Sequence, residues 1–264
     1  RWWPLAVATV AAAALVGVLL PWRTPADEAL RPGSAPRTFA STGGELDIAL
    51  GGLAKITLRP GSELRFVHWR ADQALFELER GGLTVEVKPP PIVRAEFFVV
   101  ATKHGRVVDQ GSRYDLDLLD GGDARVRVGE GAVTFLAGSR TMFVPAGASL
   151  CATGRGPCTP CFDDAPLELQ KTLQEFDMLT AKAPRDVVRL EAMKRVLGAL
   201  AGPRDSLVLW HLLADDDATV RRVAEGELLA LVGAPVKNTK QSSWPSAEWL
   251  PFLRLGAWRL PARR

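Results

Sequence analysis

Between Phe39 and Thr153 the sequence is cut into short runs in which apolar and polar residues alternate, each run closed by glycine or aspartate. A period of two sends every second side chain to one face of an extended strand, so each run has one face to bury. The runs are 46–50, 54–58, 64–68, 74–78 and 83–87, then 97–101, 114–118, 124–128, 132–136, 141–144 and 148–151. Short strands at even spacing bury those faces only against one another, which predicts a sandwich or barrel-like β domain over residues 39–155. The turn chemistry agrees. Arg80-Gly81-Gly82, Asp120-Gly121-Gly122, Ala137-Gly138 and Ala146-Gly147 supply the glycines that hairpins need.

A different constraint stands at the start. Residues 2–22, WWPLAVATVAAAALVGVLLPW, carry no charged side chain and lie between Arg1 and Arg23. About 20 apolar residues span a hydrocarbon core, and Trp2, Trp3 and Trp22 sit where indole rings favour the headgroup level. One transmembrane helix over 1–23 is the expectation, with Trp2, Trp3, Trp22 and Arg23 as membrane anchors. A secretory signal peptide is the rival, but its apolar region runs about 7–15 residues to a small-residue cleavage site, and no A-x-A follows Pro21. Either reading carries the rest of the chain through a membrane. Arg23, Arg31 and Arg37 follow the span and pull against an exported body. Residues 24–38, with three prolines and no apolar period, read as an extended linker.

Residues 102–150 carry a more specific pattern. Thr102, Gly105 and Val107 are followed by Gly111, Ser112, Tyr114 and Leu116, then Val126, Val128, Glu130, Gly131 and Val133, and finally Ala146 and Gly147. With the looser Leu58, Gly61 and Ser62 ahead of them, these residues resemble the FecR family over residues 39–153. The resemblance implies a transmembrane regulator: an extracytoplasmic β domain meets a signal or protein partner, and a cytoplasmic segment ahead of the membrane helix holds or releases a sigma factor. That segment would precede Arg1.

After Asp163 the apolar period lengthens to that of helices, predicted at 167–181, 185–200, 205–213 and 218–232. Asp205 and Asp217 are placed to cap two of them. At an offset of 32 residues Val188-Arg189 matches Val220-Arg221, Ala192 matches Ala224 and Leu197 matches Leu229. The second unit resembles a HEAT repeat, which implies an all-α HEAT-like domain over 163–235. Such units need neighbours to cover their apolar faces, so the helices dock either on the β domain or on a partner. The tail 236–264 holds six basic residues against Glu248 alone. It therefore accounts for the basic balance of a chain whose net charge is only +3, too little for a nucleic-acid-binding surface. Trp244, Trp249, Arg254, Trp258 and Arg259 are the residue types that anchor interfaces and are candidate partner-binding residues.

Chemistry is sparsely signalled. Cys151, Cys158 and Cys161 lie close together, and in an exported chain one disulfide with one thiol left over is the expectation. The C-x-x-C spacing also fits a redox or metal site, but a zinc site needs a fourth ligand, for which only His104 or His211 is on offer. Asp115, Asp117, Asp120 and Asp123 lack the glutamate of a calcium loop and read as a solvent-facing strand edge. No nucleophile elbow, H-E-x-x-H or phosphate loop occurs. The expected fold is therefore a mainly β FecR domain plus an all-α HEAT-like domain, preceded by one transmembrane helix. The expected function is a non-enzymatic, cofactor-free sensor and regulator of a sigma factor, single-pass in the inner membrane with its C-terminal part in the periplasm. A structural scaffold of the cell envelope is the second expectation.

Overall fold

The computed structural model describes residues 28–70, 73–88, 97–109, 111–180 and 187–232. In chain order the strands are β1 (Glu28–Leu30), β2 (Arg37–Ala40), β3 (Leu46–Leu50), β4 (Ala54–Leu58), β5 (Glu63–Trp69), β6 (Ala74–Arg80), β7 (Gly82–Val87) and β8 (Phe98–Thr102). They continue as β9 (Gly105–Asp109), β10 (Arg113–Leu118), β11 (Ala124–Glu130), β12 (Ala132–Ala137), β13 (Arg140–Pro145), β14 (Ala148–Thr153), β15 (Gly156–Pro157) and β16 (Cys161–Phe162). Four helices follow: α1 (Leu167–Thr180), α2 (Val187–Gly198), α3 (Ser206–Leu212) and α4 (Ala218–Val232).

Alternation converts directly into two layers. One sheet runs β1-β3-β4-β7-β10-β11-β14, with β15 and β16 both pairing the free side of β14; the other runs β13-β12-β9-β8-β6-β5-β2. Every second residue faces inward, as in Ile56 and Leu58 of β4 or Val126 and Val128 of β11, and the two inner faces merge into one core. Phe66, Phe76 and Phe98 stack across three strands of the second sheet, with centroids 5.4 and 5.5 Å apart, a spacing that adds ring contact energy to plain burial. All pairings are antiparallel except β1 with β3 and β6 with β8. The stretch read as a spacer thus contributes β1, which pairs Leu30 with Leu50.

The helical expectation needs correction. The helices are short and pair as two hairpins, α1 with α2 and α3 with α4, but they do not form a separate all-α HEAT-like domain. Their apolar faces join the sandwich core: Leu169, Leu173 and Phe176 of α1 and Trp210 of α3 belong to the same buried cluster as the strands. The reason is burial. Seven consecutive α3 residues, Ser206–Leu212, are buried, which two free-standing hairpins could not achieve. Asp205 also departs from its expected role, since its carboxylate accepts from the N–H groups of Ala201 and Gly202 rather than capping α3. Asp217 does cap, taking the Thr219 N–H at 2.8 Å.

The expected transmembrane helix is also corrected: among the described residues no helix is long and apolar enough to cross a membrane. The stretch 2–22, with Trp2, Trp3, Trp22 and Arg23, lies outside the described residues.

Candidate functional site

At one end of the sandwich three hairpin tips converge: the β6–β7 turn, the β8–β9 turn and the β10–β11 turn. They enclose an open groove of about 890 Å³ lined by Glu77, Glu79, Arg80, Lys103, Asp120 and Gly122, among others. Its walls are fixed from outside. Arg65 pairs with Glu77 and with Glu79, the latter at 3.2 Å. Arg59 pairs with Asp117 and lies 3.5 Å from Asp115, so β4 is locked to β10 across β7. The His104 Nε2–H donates to the Gly122 carbonyl at 2.8 Å and ties the second tip to the third. The groove presents charged side chains and backbone polar groups.

The motif residues build the turns behind this groove. Ser62 is fully buried; its hydroxyl donates to the Gly82 carbonyl and accepts the Gly82 N–H, both at 2.8 Å. Gly81 lies above it at φ +75°, where a Cβ would come within 2.3 Å of the Ser62 Oγ, so the two residues require each other. Asp109 accepts the Gly111 N–H at 2.7 Å. Burial, and then the Asp109 charge, push the Tyr114 phenol well above its usual range. These contacts hold the turns in place.

A second polar centre lies where helices meet strands. The Arg140 guanidinium at the start of β13 donates to the Pro157 carbonyl at 2.9 Å. Asp177 of α1 takes the Thr159 N–H at 2.7 Å and its hydroxyl at 2.8 Å. Burial lifts the Asp177 carboxyl to about 6, against the pull of the Thr159 hydrogen bonds and of Arg140. His211 of α3 is buried, and its Nε2–H donates to the Phe143 carbonyl at 2.8 Å. Burial outweighs that bond and holds the ring at about 3, so it is neutral at physiological pH. Sequence reasoning passed over Arg140, Thr159 and Asp177; the one trace was the Thr-Pro pair between two cysteines.

The three cysteines, Cys151, Cys158 and Cys161, are brought together here, on β14 and on the chain running back along it. Burial first, then nearby acids, push the Cys158 thiol to about 12 and Cys161 to about 11. Such thiols carry almost no thiolate at neutral pH. The histidines are held by separate partners, His68 by Gln73, His104 by Gly122 and His211 by Phe143. No group of three or more His, Cys, Asp or Glu among the described residues is placed to hold a metal ion. Asp115 and Asp117 face outward opposite Arg127 and Arg125 on β11. The candidate partner residues Trp244, Trp249, Arg254, Trp258 and Arg259 lie outside the described residues.

Comparison with known proteins bears on residues 37–134, which match the model of the family described as "FecR protein". The match ends inside β12, so β13, β14 and all four helices lie beyond it. No curated protein matches the chain. Two crystal structures of a candidate anti-sigma factor from Parabacteroides distasonis ATCC 8503 resemble it, at 17% and 16% identity and TM-scores of 0.43 in both cases. The alignments cover 53% and 52% of this chain and 65% and 64% of those chains, so the chain spans less than two thirds of their length.

Proposed function

We propose, starting from the FecR domain that residues 37–134 form, that the protein is a non-enzymatic sensor whose β body receives a protein partner and whose state governs a sigma factor. The observation that carries this reading is the FecR match, set on a sandwich whose three hairpin tips converge on a polar groove. The reading places the protein at the inner membrane with the β body in the periplasm, as the FecR resemblance implies. The basic tail, through Trp244, Trp249, Arg254, Trp258 and Arg259, is the segment proposed to meet the partner.

Deleting the gene in its source cells and profiling transcripts tests the regulatory half: one sigma-dependent gene set changes, and complementation with the full chain restores it. Unchanged transcripts with the protein still recovered in the envelope would favour the scaffold reading. Membrane fractionation with protease accessibility tests the location, and an intact, soluble cytosolic protein would sink it.

A further inference from the structure

Cys151 and Cys158 occupy facing positions on neighbouring antiparallel segments. Ala152 faces Pro157 and Thr153 faces Gly156, so the next step of that register sets Cys151 against Cys158. The Cys158 N–H donates to the Cys151 carbonyl at 2.8 Å. Directly opposed residues of a hydrogen-bonded pair point to the same face with Cα atoms about 5.5 Å apart, within the roughly 4.4–6.8 Å that a disulfide bridges.

Cys161 is placed differently. It faces Ser149, two residues from Cys151, because the register slips by one residue between Cys158 and Cys161. Diagonal neighbours stand about 7–8 Å apart, beyond disulfide reach. Cys158 and Cys161 face β14 positions two residues apart. Their side chains therefore run parallel at a spacing of roughly 6.6 Å, wider than the roughly 4.5–5.5 Å between Cβ atoms of directly facing residues, so Cys151 and Cys158 are the pair that needs the least movement to reach the ~3.8 Å of a disulfide.

The geometry points to a single disulfide between Cys151 and Cys158, with Cys161 left as a thiol, as a covalent clip at the junction of sheet and helices. Its formation in cells rests on the proposed periplasmic location, where disulfides persist. Two thiols give up two protons and two electrons, and one S–S bond forms. The electrons reduce the disulfide of a small-molecule or protein oxidant to two thiols through a mixed disulfide. The attacking species is a thiolate, and the high Cys158 and Cys161 values leave little of it in the closed structure. The clip fixes the strand that offers Pro157 to Arg140 and Thr159 to Asp177.

Refolding the full chain in a glutathione redox buffer, then alkylating under denaturing conditions, tests the pairing by mass spectrometry. One alkylated cysteine and the loss of two hydrogens are expected. Trypsin cuts after Arg155, so the link joins peptide 141–155 to peptide 156–171, and fragmentation between Cys158 and Cys161 places it. Cys161→Ser keeps the link and Cys151→Ser loses it; should Cys151→Ser fail to fold, the wild-type map and Cys161→Ser still decide. A Cys158–Cys161 link, a link to Cys161 from Cys151, or three alkylated cysteines would overturn the pairing. The same quench applied to source cells separates the two claims. A bond formed in vitro but absent in cells would overturn the periplasmic location while the pairing stands.

Discussion

The side chain of His211 and the carbonyl of Phe143, 68 residues apart in sequence, meet at 2.8 Å, and beside them the Trp210 and Phe143 rings stand edge to face at 6.0 Å. This contact joins α3 to β13 and makes the helices part of the sandwich. One consequence concerns acid. Between pH 6.5 and about 3 the unfolded chain holds a proton on His211 that the folded protein does not, so this group's contribution falls as pH drops through that window, by about 1.4 kcal/mol per unit.

Asp177 acts with the opposite sign. Its folded carboxyl titrates at about 6 against 3.8 for the free group, so between those values the folded protein holds the extra proton and stability rises as pH falls. From pH 6 to 4 the two slopes nearly cancel. We expect urea midpoints of the wild type to be flat there, those of Asp177→Asn to fall steadily, and those of His211→Gln to rise. Equal profiles for all three would refute the assignment. Asn at 177 can still accept the Thr159 N–H and donate to its hydroxyl, so Asp177→Asn is expected to fold.

Ser62→Ala should cost about 1–3 kcal/mol, because it strands the buried Gly82 N–H. Gly81→Ala should cost more, since its Cβ would meet the Ser62 backbone at 2.7 Å in a left-handed conformation. Chemical denaturation of the two variants checks both the size and the order.

Within the helices, Arg189 and Asp215 form a buried pair, 7% and 5% exposed, with the guanidinium 5.1 Å from the Phe176 ring centroid. Removing the cation leaves a buried carboxylate without its partner, so Arg189→Ala should lose about 3–5 kcal/mol. Because the helices share the sandwich core, that loss should shift one common unfolding transition. Circular dichroism that resolved an earlier, separate helical transition would contradict the shared core.

The strand pattern was readable because each strand buries one face, and the eleven alternating runs all fall on strands of the structure. β9 was missed: in Gly105–Asp109 both Val107 and Val108 are buried, so the period-two signal vanishes. β15 and β16 are two residues each, too short for any period. Helix positions were legible from spacing, but their docking was not. Nothing local in Trp210 or His211 announces that the surface opposite is β13, and a 32-residue repeat looks the same whether it stacks on copies of itself or on a sheet. The junction centre was hidden for the same reason: Arg140, Thr159 and Asp177 are ordinary in sequence and become a unit only through long-range contact.

β13 ends its sheet, pairing only β12, and α3 covers it through Phe143. A polypeptide terminated where the strands finish would bare that border together with the aromatic beside it, the type of surface along which separate molecules zip up. The short helices therefore double as a guard against self-association, and expression boundaries drawn at the end of β16, at Phe162, are expected to yield clumping material rather than a tidy smaller protein.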